Sequence, residues 1–343
     1  MTTVPTAPVA AQDSTTLRAF PPIELHGFLQ VYYRAGDPTA KDGYKVRKAD
    51  VKFSGDVSPH LRWRVSVDAS KLLTINKTLS DPGDSLALSD ASIDQRTRLL
   101  QDAALTLSVN HATTIDIGQQ VLPLSLEGTI STANVETIER TMFIIERSRA
   151  VGLGDIRDVG VSANGKWANV LEYHAGLFNE AGESQGTTDP NDQKAVIGRF
   201  AVHVPMVPGL QVGGSGAFQG GPPATHRERA GSEVQFRDSW ITLRAETMSA
   251  RDAALHRFGW YTLAAVRPTP SLQFVARYDA WDRDRTSEAS VVDGFERQIV
   301  IGGSYLIDGT AAKVALNVVR QSFPNVPNGS DGTFLLIAFQ GAW

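Results

Sequence analysis

Residues 333–343, at the end of the chain, read Thr333-Phe334-Leu335-Leu336-Ile337-Ala338-Phe339-Gln340-Gly341-Ala342-Trp343. The strict alternation predicts a β-strand with one apolar face, which carries Leu335, Ile337, Phe339 and Trp343. A soluble protein rarely points such a row at water, whereas the closing strand of a membrane barrel turns it towards lipid. Such a strand pairs with the first strand and removes both sheet edges. The last strand of a soluble sandwich is the alternative for this segment taken alone.

Composition limits the classes of protein that fit. The chain has 343 residues, of which 42% are hydrophobic, and its mean hydropathy is −0.16. No apolar run reaches the roughly 18 residues that a membrane-spanning helix needs, which excludes transmembrane helices. The net charge of −4 argues against a nucleic-acid partner. Cysteine is absent, which removes disulfides and thiolate metal ligands and fits an oxidising envelope.

The first 22 residues precede the alternating segments. Within them, Val9-Ala10-Ala11 resembles the small-residue end of a secretory signal, although basic and long apolar regions are missing. Residues 1–22 are therefore predicted to be either the remnant of a signal peptide or a disordered N-terminus. Residues 23–343 are predicted to form a single barrel domain.

Alternating segments recur along residues 23–343. Residues 23–33 and 44–55 both alternate, and a tight link separates the second from residues 61–68. Turn chemistry between alternating runs predicts antiparallel hairpins. Further predicted strands include residues 240–248 and 257–267, and the last is 333–343. The polar faces of these strands carry charged side chains that need water, which a wide barrel provides in its lumen.

The predicted connections alternate in length. Short turns lie at 110–112, 167–169, 205–209, 268–270 and 307–309, and long links at 71–98, 122–156, 180–193, 220–231, 282–293 and 321–331. Bacterial outer-membrane barrels have short turns on one side and long loops on the other. Because short turns and long links alternate, the turn at 268–270 falls on the side of the short turns only if one more short turn precedes it. We place that turn at 237–239. The sequence thus predicts an all-β antiparallel transmembrane barrel of about 16 strands in the bacterial outer membrane, in contact with its lipid.

Short motifs in a fixed order resemble the phosphate-selective porin O and P family. They are Gly118-Gln119, Arg157-Asp158-Val159-Gly160-Val161, Tyr173 to Asn179, Asn191 to Lys194, Gly198-Arg199-Phe200 and Arg244-Ala245-Glu246. The resemblance extends from Ile23 to Trp343. It implies a sixteen-stranded, trimeric outer-membrane porin whose third long loop folds into the pore. Known members pass phosphate or polyphosphate along basic side chains, and many relatives have no established substrate.

Residues 122–156 form the longest link and are the candidate constriction loop. We expect a helix capped by Asn134, with Glu136 in its first turn and one apolar stripe made of Val135, Ile138, Met142 and Ile145. The stripe would pack on the barrel wall, while Glu139 and Arg140 would face water. The candidate anion contacts of the constriction are Arg140, Arg147, Arg149 and Arg157. Two alternatives stay open: the loop is a structural plug, or these arginines form salt bridges with Glu136, Glu139, Glu146 or Asp155.

The inward strand faces carry a set of bases predicted to line the lumen. These are Lys48, Lys52, Arg62, Arg64, Arg199, Arg244 and Arg277, and the first four are expected to form one basic wall. Inward bases and acids balance at eight each when Lys313 is added, so only charge position can create a preference. The loop also contains no lysine, which argues against strong phosphate selectivity. The predicted function is passive diffusion of small hydrophilic solutes, anionic or neutral, with a modest anion preference and phosphate as one candidate.

Nothing in the sequence indicates catalysis, a cofactor or a metal. The seven histidines lack metal-ligand spacing, and no nucleophile elbow or phosphate-binding loop has the required context. The protein is therefore predicted not to be an enzyme. Two alternatives are an outer-membrane hydrolase, for which the Glu172 and His174 pair is the candidate, and a non-conducting structural barrel.

Overall fold

The computed structural model describes residues 21–38, 40–71, 74–80, 87–94, 99–144, 157–179, 194–220, 226–287, 294–326 and 329–343. Sixteen of its strands close into one antiparallel barrel, as the sequence predicts. The barrel strands are β1 (Glu24–Ala35), β2 (Gly43–Ser58), β3 (Leu61–Asp68), β6 (Leu100–Asn110), β7 (Thr113–Val121), β8 (Arg157–Trp167), β9 (Leu171–Phe178), β10 (Ala195–His203), β11 (Leu210–Gln219), β12 (Arg227–Arg237), β13 (Ile241–Asp252), β14 (Leu255–Thr269), β15 (Leu272–Asp282), β16 (Phe295–Asp308), β17 (Ala312–Ser322) and β18 (Gly332–Ala342).

Each barrel strand pairs with its neighbours in the chain, with one interruption. Strands β4 (Thr74–Ser80) and β5 (Ala87–Asp94) form a separate hairpin within the link that follows the short 3-10 helix Ala69–Lys71, so β3 pairs with β6. The barrel closes where β18 pairs with β1. The backbone N–H of Trp343 donates to the Gly27 carbonyl at 3.0 Å, and the Gly27 N–H donates to the Trp343 carbonyl at 2.9 Å. The closing role predicted for the last strand is confirmed.

The two faces of the barrel wall differ in the sense expected of a membrane protein. On the outer face Phe200 is 59% exposed and Ile301 62%, whereas inward-facing Leu336 and Arg244 are 1% and 2% exposed. Apolar side chains therefore cover the outside, and most polar ones lie inside. Within the described residues, no helix has the length and apolar character needed to span a membrane.

Two strands extend further than predicted. The expected strands 240–248 and 257–267 are β13 and β14, which run to Asp252 and from Leu255. They pair without interruption, with Asp252 opposite Leu255, so their link is two residues long although it lies on the side of the long links. The predicted boundaries fall short because Ser249 and Arg251 put polar side chains on the outer face, which interrupts the apolar alternation.

The predicted helix that begins at Asn134 is wrong for the described residues. The loop holds a four-residue helix α1 (Leu126–Thr129), capped by the Ser125 hydroxyl, and a 3-10 helix at Thr132–Asn134, and residues 135–144 form bends and turns. Several of their backbone groups bond to side chains, and one backbone bond within the segment runs from the Ile144 N–H to the Thr141 carbonyl at 3.0 Å. The Ile138 N–H donates to Asn317 Oδ1 at 2.7 Å, and the Thr141 N–H donates to Glu127 Oε1 at 3.0 Å. Such partners offer the backbone an alternative to helical hydrogen bonds.

The apolar residues of the loop are buried as expected, but not along one stripe. Ile138 packs on a patch formed by β1 and β16–β18, whereas Met142 and Phe143 pack on a second patch with Tyr261 and Trp281. An irregular chain can send residues four apart to different parts of the wall, which a helix cannot. Ile145 lies outside the described residues.

Candidate functional site

A cavity of about 380 Å³ lies inside the barrel between β1, β2, β6, β8, β15–β18 and the described part of the loop. Its lining contains one acidic side chain, Glu139, and seven basic ones: Arg34, Lys45, Arg47, Lys48, Arg140, Arg157 and Arg277. Four of these bases belong to the predicted site, and the other three were not predicted. The lining of the cavity is therefore strongly basic.

A β-bulge explains why two consecutive bases of β2 border this cavity. Gln30 of β1 pairs with Lys48, and the next residue, Val31, pairs with Val46, so Arg47 is the extra residue. A bulge places two residues opposite one and re-aims a side chain. Arg47 donates to Gln30 Oε1 at 2.8 Å and to Glu139 Oε2 at 2.9 Å, while the Lys48 ammonium lies 2.8 Å from Asp50. Strict alternation could not predict Arg47, because alternation assigns it and Lys48 to opposite faces.

Arg244, Arg277 and Lys313, here called the loop-bound bases, hold the loop against the wall. Arg244 forms hydrogen bonds of 3.1 and 3.2 Å with the Glu136 carboxylate, and the Lys313 ammonium donates to the Val135 carbonyl at 2.8 Å. The Arg244 and Arg277 side chains are both 0% exposed. Their prediction as part of a basic wall that meets solute is corrected: they face inward, but the loop covers them.

Arg277 has the most partners among the loop-bound bases. Its Nε donates to Asp279 at 2.8 Å, and its terminal nitrogens donate to the carbonyls of Glu139 and Arg140 at 2.7 and 3.1 Å. Asp279 in turn accepts from the Thr141 hydroxyl at 2.6 Å. Arg277 therefore borders the cavity while its donors point into the loop and its neighbouring carboxylate.

The Glu136 carboxylate is a second anchor, and it belongs to the loop itself. Burial favours the neutral form, but the guanidiniums of Arg244 and Arg237 outweigh burial and hold the Glu136 pKa below its usual value. Arg237 lies 2.8 Å from this carboxylate. Glu136 was predicted to stabilise a helical first turn, and it instead binds two wall arginines.

The remaining predicted wall residues lie away from the cavity lining. Arg62 pairs with Glu24 and with Asp56, Arg64 lies 3.1 Å from Asp116, and Arg199 lies 2.6 Å from Glu233 and 3.1 Å from Glu172. Lys52 is exposed. The single basic wall expected from Lys48, Lys52, Arg62 and Arg64 is therefore divided, because carboxylates stand beside its arginines and only Lys48 borders the cavity.

Two of the four predicted constriction arginines lie in the described residues, and both border the cavity. Arg140 is 6% exposed and donates to the carbonyls of Glu127 and Ile130, so it does not face water as expected. Arg157 lies 3.1 Å from Asp102. Arg147 and Arg149, with Glu146 and Asp155, fall outside the described residues. A salt bridge, the alternative considered for each arginine, is made by Arg157, although to a wall residue.

Beside the bases of β2, the cavity has an apolar side that sequence reasoning missed. It is made of Tyr32 from β1, Val300 and Val319 from β16 and β17, and Phe334 and Leu336 from β18. The Arg34 guanidinium lies 5.8 Å from the centre of the Tyr32 ring and 5.4 Å from that of Phe334. The signal was present in the sequence, since Phe334, Leu336 and Ala338 occupy the inward face of a strand whose outward face is also apolar.

The fold is shared with several solved outer-membrane proteins. OmpF of Salmonella typhi, solved with daunomycin, superposes with a TM-score of 0.64 at 10% identity, covering 94% of this chain and 98% of that one. The trimer form of OmpT of Vibrio cholerae gives 0.59 at 10% identity, covering 94% and 99%. The outer-membrane channel DcaP of Acinetobacter baumannii gives 0.58 at 12% identity, covering 94% and 97%. At these low identities, the superpositions show a common fold and no more.

Family assignment comes from the sequence itself. No curated protein matches the chain. The family model of phosphate-selective porin O and P matches residues 23–252, which is the bulk of the chain and includes the first eleven strands of the barrel wall, up to the end of β13. Together with the closed sixteen-stranded barrel, this match shows that the chain belongs to the phosphate-selective porin O and P family and is a porin of the bacterial outer membrane.

Proposed function

We propose that the protein is a pore for passive diffusion of small hydrophilic solutes with a modest preference for anions, phosphate among them. The observation that carries this proposal is the excess of basic over acidic side chains around the cavity, seven against one. A positive field in a confined aqueous passage concentrates anions and excludes cations. Screening removes charge effects beyond about 8 Å at physiological salt, so the local arrangement matters more than the balanced total.

The expected preference is modest because most of these bases have an acid beside them. Arg34, Arg47, Lys48, Arg157 and Arg277 each lie within ion-pair distance of a carboxylate, respectively that of Asp37, Glu139, Asp50, Asp102 and Asp279. Strong, phosphate-specific binding would need bases without such partners, since each nearby carboxylate weakens the field.

Reversal potentials across a KCl gradient in planar bilayers test the proposal. The sign that reports chloride as the more permeant ion supports it, and the opposite sign contradicts it. Closed, non-conducting insertions would favour the alternative of a structural barrel. Adding phosphate to one chamber then measures its permeability relative to chloride, which we expect to be of the same order.

We also propose that the barrel assembles as a homotrimer in the outer-membrane lipid, without enzymatic activity. The trimer form of the Vibrio cholerae protein supports the assembly. Strand β11 also has small residues that would allow the close approach of a neighbouring barrel: Gly214 and Gly216 lie on the outward face with Phe218, whereas Gly213 and Ala217 lie inward. Native mass spectrometry in a mild detergent checks this: a trimeric mass is expected, and a monomer contradicts it.

A further inference from the structure

The apolar side of the cavity is unusual for the inside of a water-filled barrel. We call the five inward-facing residues Tyr32, Val300, Val319, Phe334 and Leu336 the apolar strip. Their exposed fractions are between 1% and 7%, and Ile138 of the loop packs on the cluster that contains them. The loop covers this cluster in part, and all five side chains still border the cavity.

Cationic groups lie along the edge of the apolar strip. The Arg34 guanidinium lies over the rings of Tyr32 and Phe334, at 5.8 and 5.4 Å from their centres. Lys45 of β2 pairs directly with Tyr32 of β1, and its side chain is exposed and borders the same cavity. An apolar surface therefore joins a positively charged one without an intervening polar band.

We propose that this cavity binds organic anions that join a carboxylate to a hydrocarbon body, such as medium-chain alkanoates. The proposal rests on the anion-preferring pore proposed above and names the class of solute that the pore favours. The carboxylate takes its hydrogen bonds from Arg34 and Lys45, and the hydrocarbon lies along Tyr32, Val319 and Phe334. The cavity volume of about 380 Å³ is within the roughly 300–1,000 Å³ that small-molecule sites occupy.

The same arrangement distinguishes this class from other anions. Inorganic phosphate and chloride interact with the bases but gain nothing from the apolar strip, because they have no apolar surface to remove from water. A neutral hydrocarbon gains from the strip but not from the bases. Only a solute with both parts uses both sides of the cavity.

Block of the chloride current by added solutes tests the proposal on the intact porin in planar bilayers. The probes are acetate, hexanoate, inorganic phosphate and hexylammonium, the last having a hydrocarbon body like that of hexanoate and the opposite charge. We expect hexanoate to reach half-block at about one tenth of the acetate concentration, equivalent to about 1.4 kcal/mol, and hexylammonium to block far less.

Two matched variants of β17 locate the effect. Val319→Thr keeps the side-chain volume and adds a hydroxyl to the apolar strip, whereas Val318→Thr makes the same change on the outward face, where Val318 is 42% exposed. The first should reduce the preference for hexanoate over acetate to about threefold, and the second should leave it at about tenfold. Lys45→Gln should weaken the block by both hexanoate and acetate and leave the ratio of their half-blocking concentrations unchanged.

The outcomes separate this proposal from the one on which it rests. If hexanoate and acetate block equally in a channel that prefers chloride, the proposed class of solute is wrong. The proposal of an anion-preferring pore is then unaffected. A channel that prefers potassium overturns the anion pore. An equal loss of preference in Val318→Thr and Val319→Thr overturns the role of the apolar strip, and strong block by hexylammonium overturns the role of the bases Arg34 and Lys45.

Discussion

Basic side chains on two parts of the same inner wall differ in their exposure to solvent. The loop-bound bases Arg244, Arg277 and Lys313 are 2%, 2% and 4% exposed, and their donors point into the loop. Lys45, Arg47 and Lys48 on β2 border the cavity from the other side, and all three retain solvent exposure. All six belong to barrel strands and contact the lumen or the loop inside it.

The difference lies in what each base faces. The loop brings the Glu136 carboxylate and several backbone carbonyls against β13–β17, and a base buried there must be paired because an isolated buried charge is very costly. Along β2 the loop contacts are fewer: Arg47 pairs with Glu139 of the loop, but Lys45, Arg47 and Lys48 all keep part of their surface exposed at the cavity. Residue type and strand face therefore predict that a base points inward, and the path of the loop decides whether solute reaches it.

Removing a loop-bound base should have the largest effect on stability. Arg277→Met leaves the Asp279 and Glu127 carboxylates, both 0% exposed, without their cation, which we expect to cost about 3–5 kcal/mol of unfolding free energy. Arg320→Met is the control, because Arg320 lies on the outward face of β17 with its side chain 54% exposed, and should cost less than about 1 kcal/mol. Denaturant unfolding in detergent, followed by heat-modifiable gel migration, measures both; similar losses would contradict the anchoring role.

Weakening the Glu136 anchor should release the loop without unfolding the barrel. The Glu136 pKa is lowered from 4.5, so its stabilising effect is complete above that pH and is lost as the pH falls through the folded-state pKa. We expect open-channel current noise to rise in the wild type well below pH 4.5 and to be present in Glu136→Gln already at neutral pH. Glu228→Gln, at a carboxylate 46% exposed, is the matched control and should behave as wild type. Quiet Glu136→Gln channels at neutral pH would show that this ion pair does not hold the loop.

A base that borders the cavity and stays exposed, such as Lys45, should contribute least to the stability of the barrel. Lys45→Gln removes an exposed charge, and we expect the unfolding free energy to change by no more than about 0.5 kcal/mol. The same denaturant titration measures it. A loss comparable to that of Arg277→Met would mean that Lys45 has a structural role. The loop-bound bases and the bases of β2 would then not differ in their contribution to stability.

Much of the barrel could be predicted because lipid enforces a simple rule on its outer face. The alternation in β18, with Phe339 and Trp343 outward, follows from the need to present apolar side chains to lipid and to pair every strand edge. The predicted strand boundaries were wrong where the outer face is no longer apolar, as at Ser249 and Arg251.

The interior could be predicted only in part, because nothing imposes a period on it. The bulge at Arg47 and the irregular path of residues 135–144 depend on partners far away in sequence, such as Glu139 for the first and Asn317 for the second. Burial of Ile138 and Met142 was predictable from their apolar character, but the helix inferred from their spacing was not formed. Propensity is a weak guide where wall side chains compete for the backbone.

The permeability ratio of chloride to potassium in charge-reversal variants tests the central claim most directly, namely that the bases bordering the cavity set the ion preference. Lys45→Glu with Lys48→Glu changes two charges at the cavity, and Lys52→Glu with Arg62→Glu makes the same change in β2 and β3 away from it. A unit charge about 4 Å from an ion in water is worth about 1 kcal/mol, or about fivefold in permeability. We predict that the first pair inverts the preference to potassium and that the second shifts the ratio by less than about fivefold. Equal shifts from both pairs, or no shift from the first, would contradict the account.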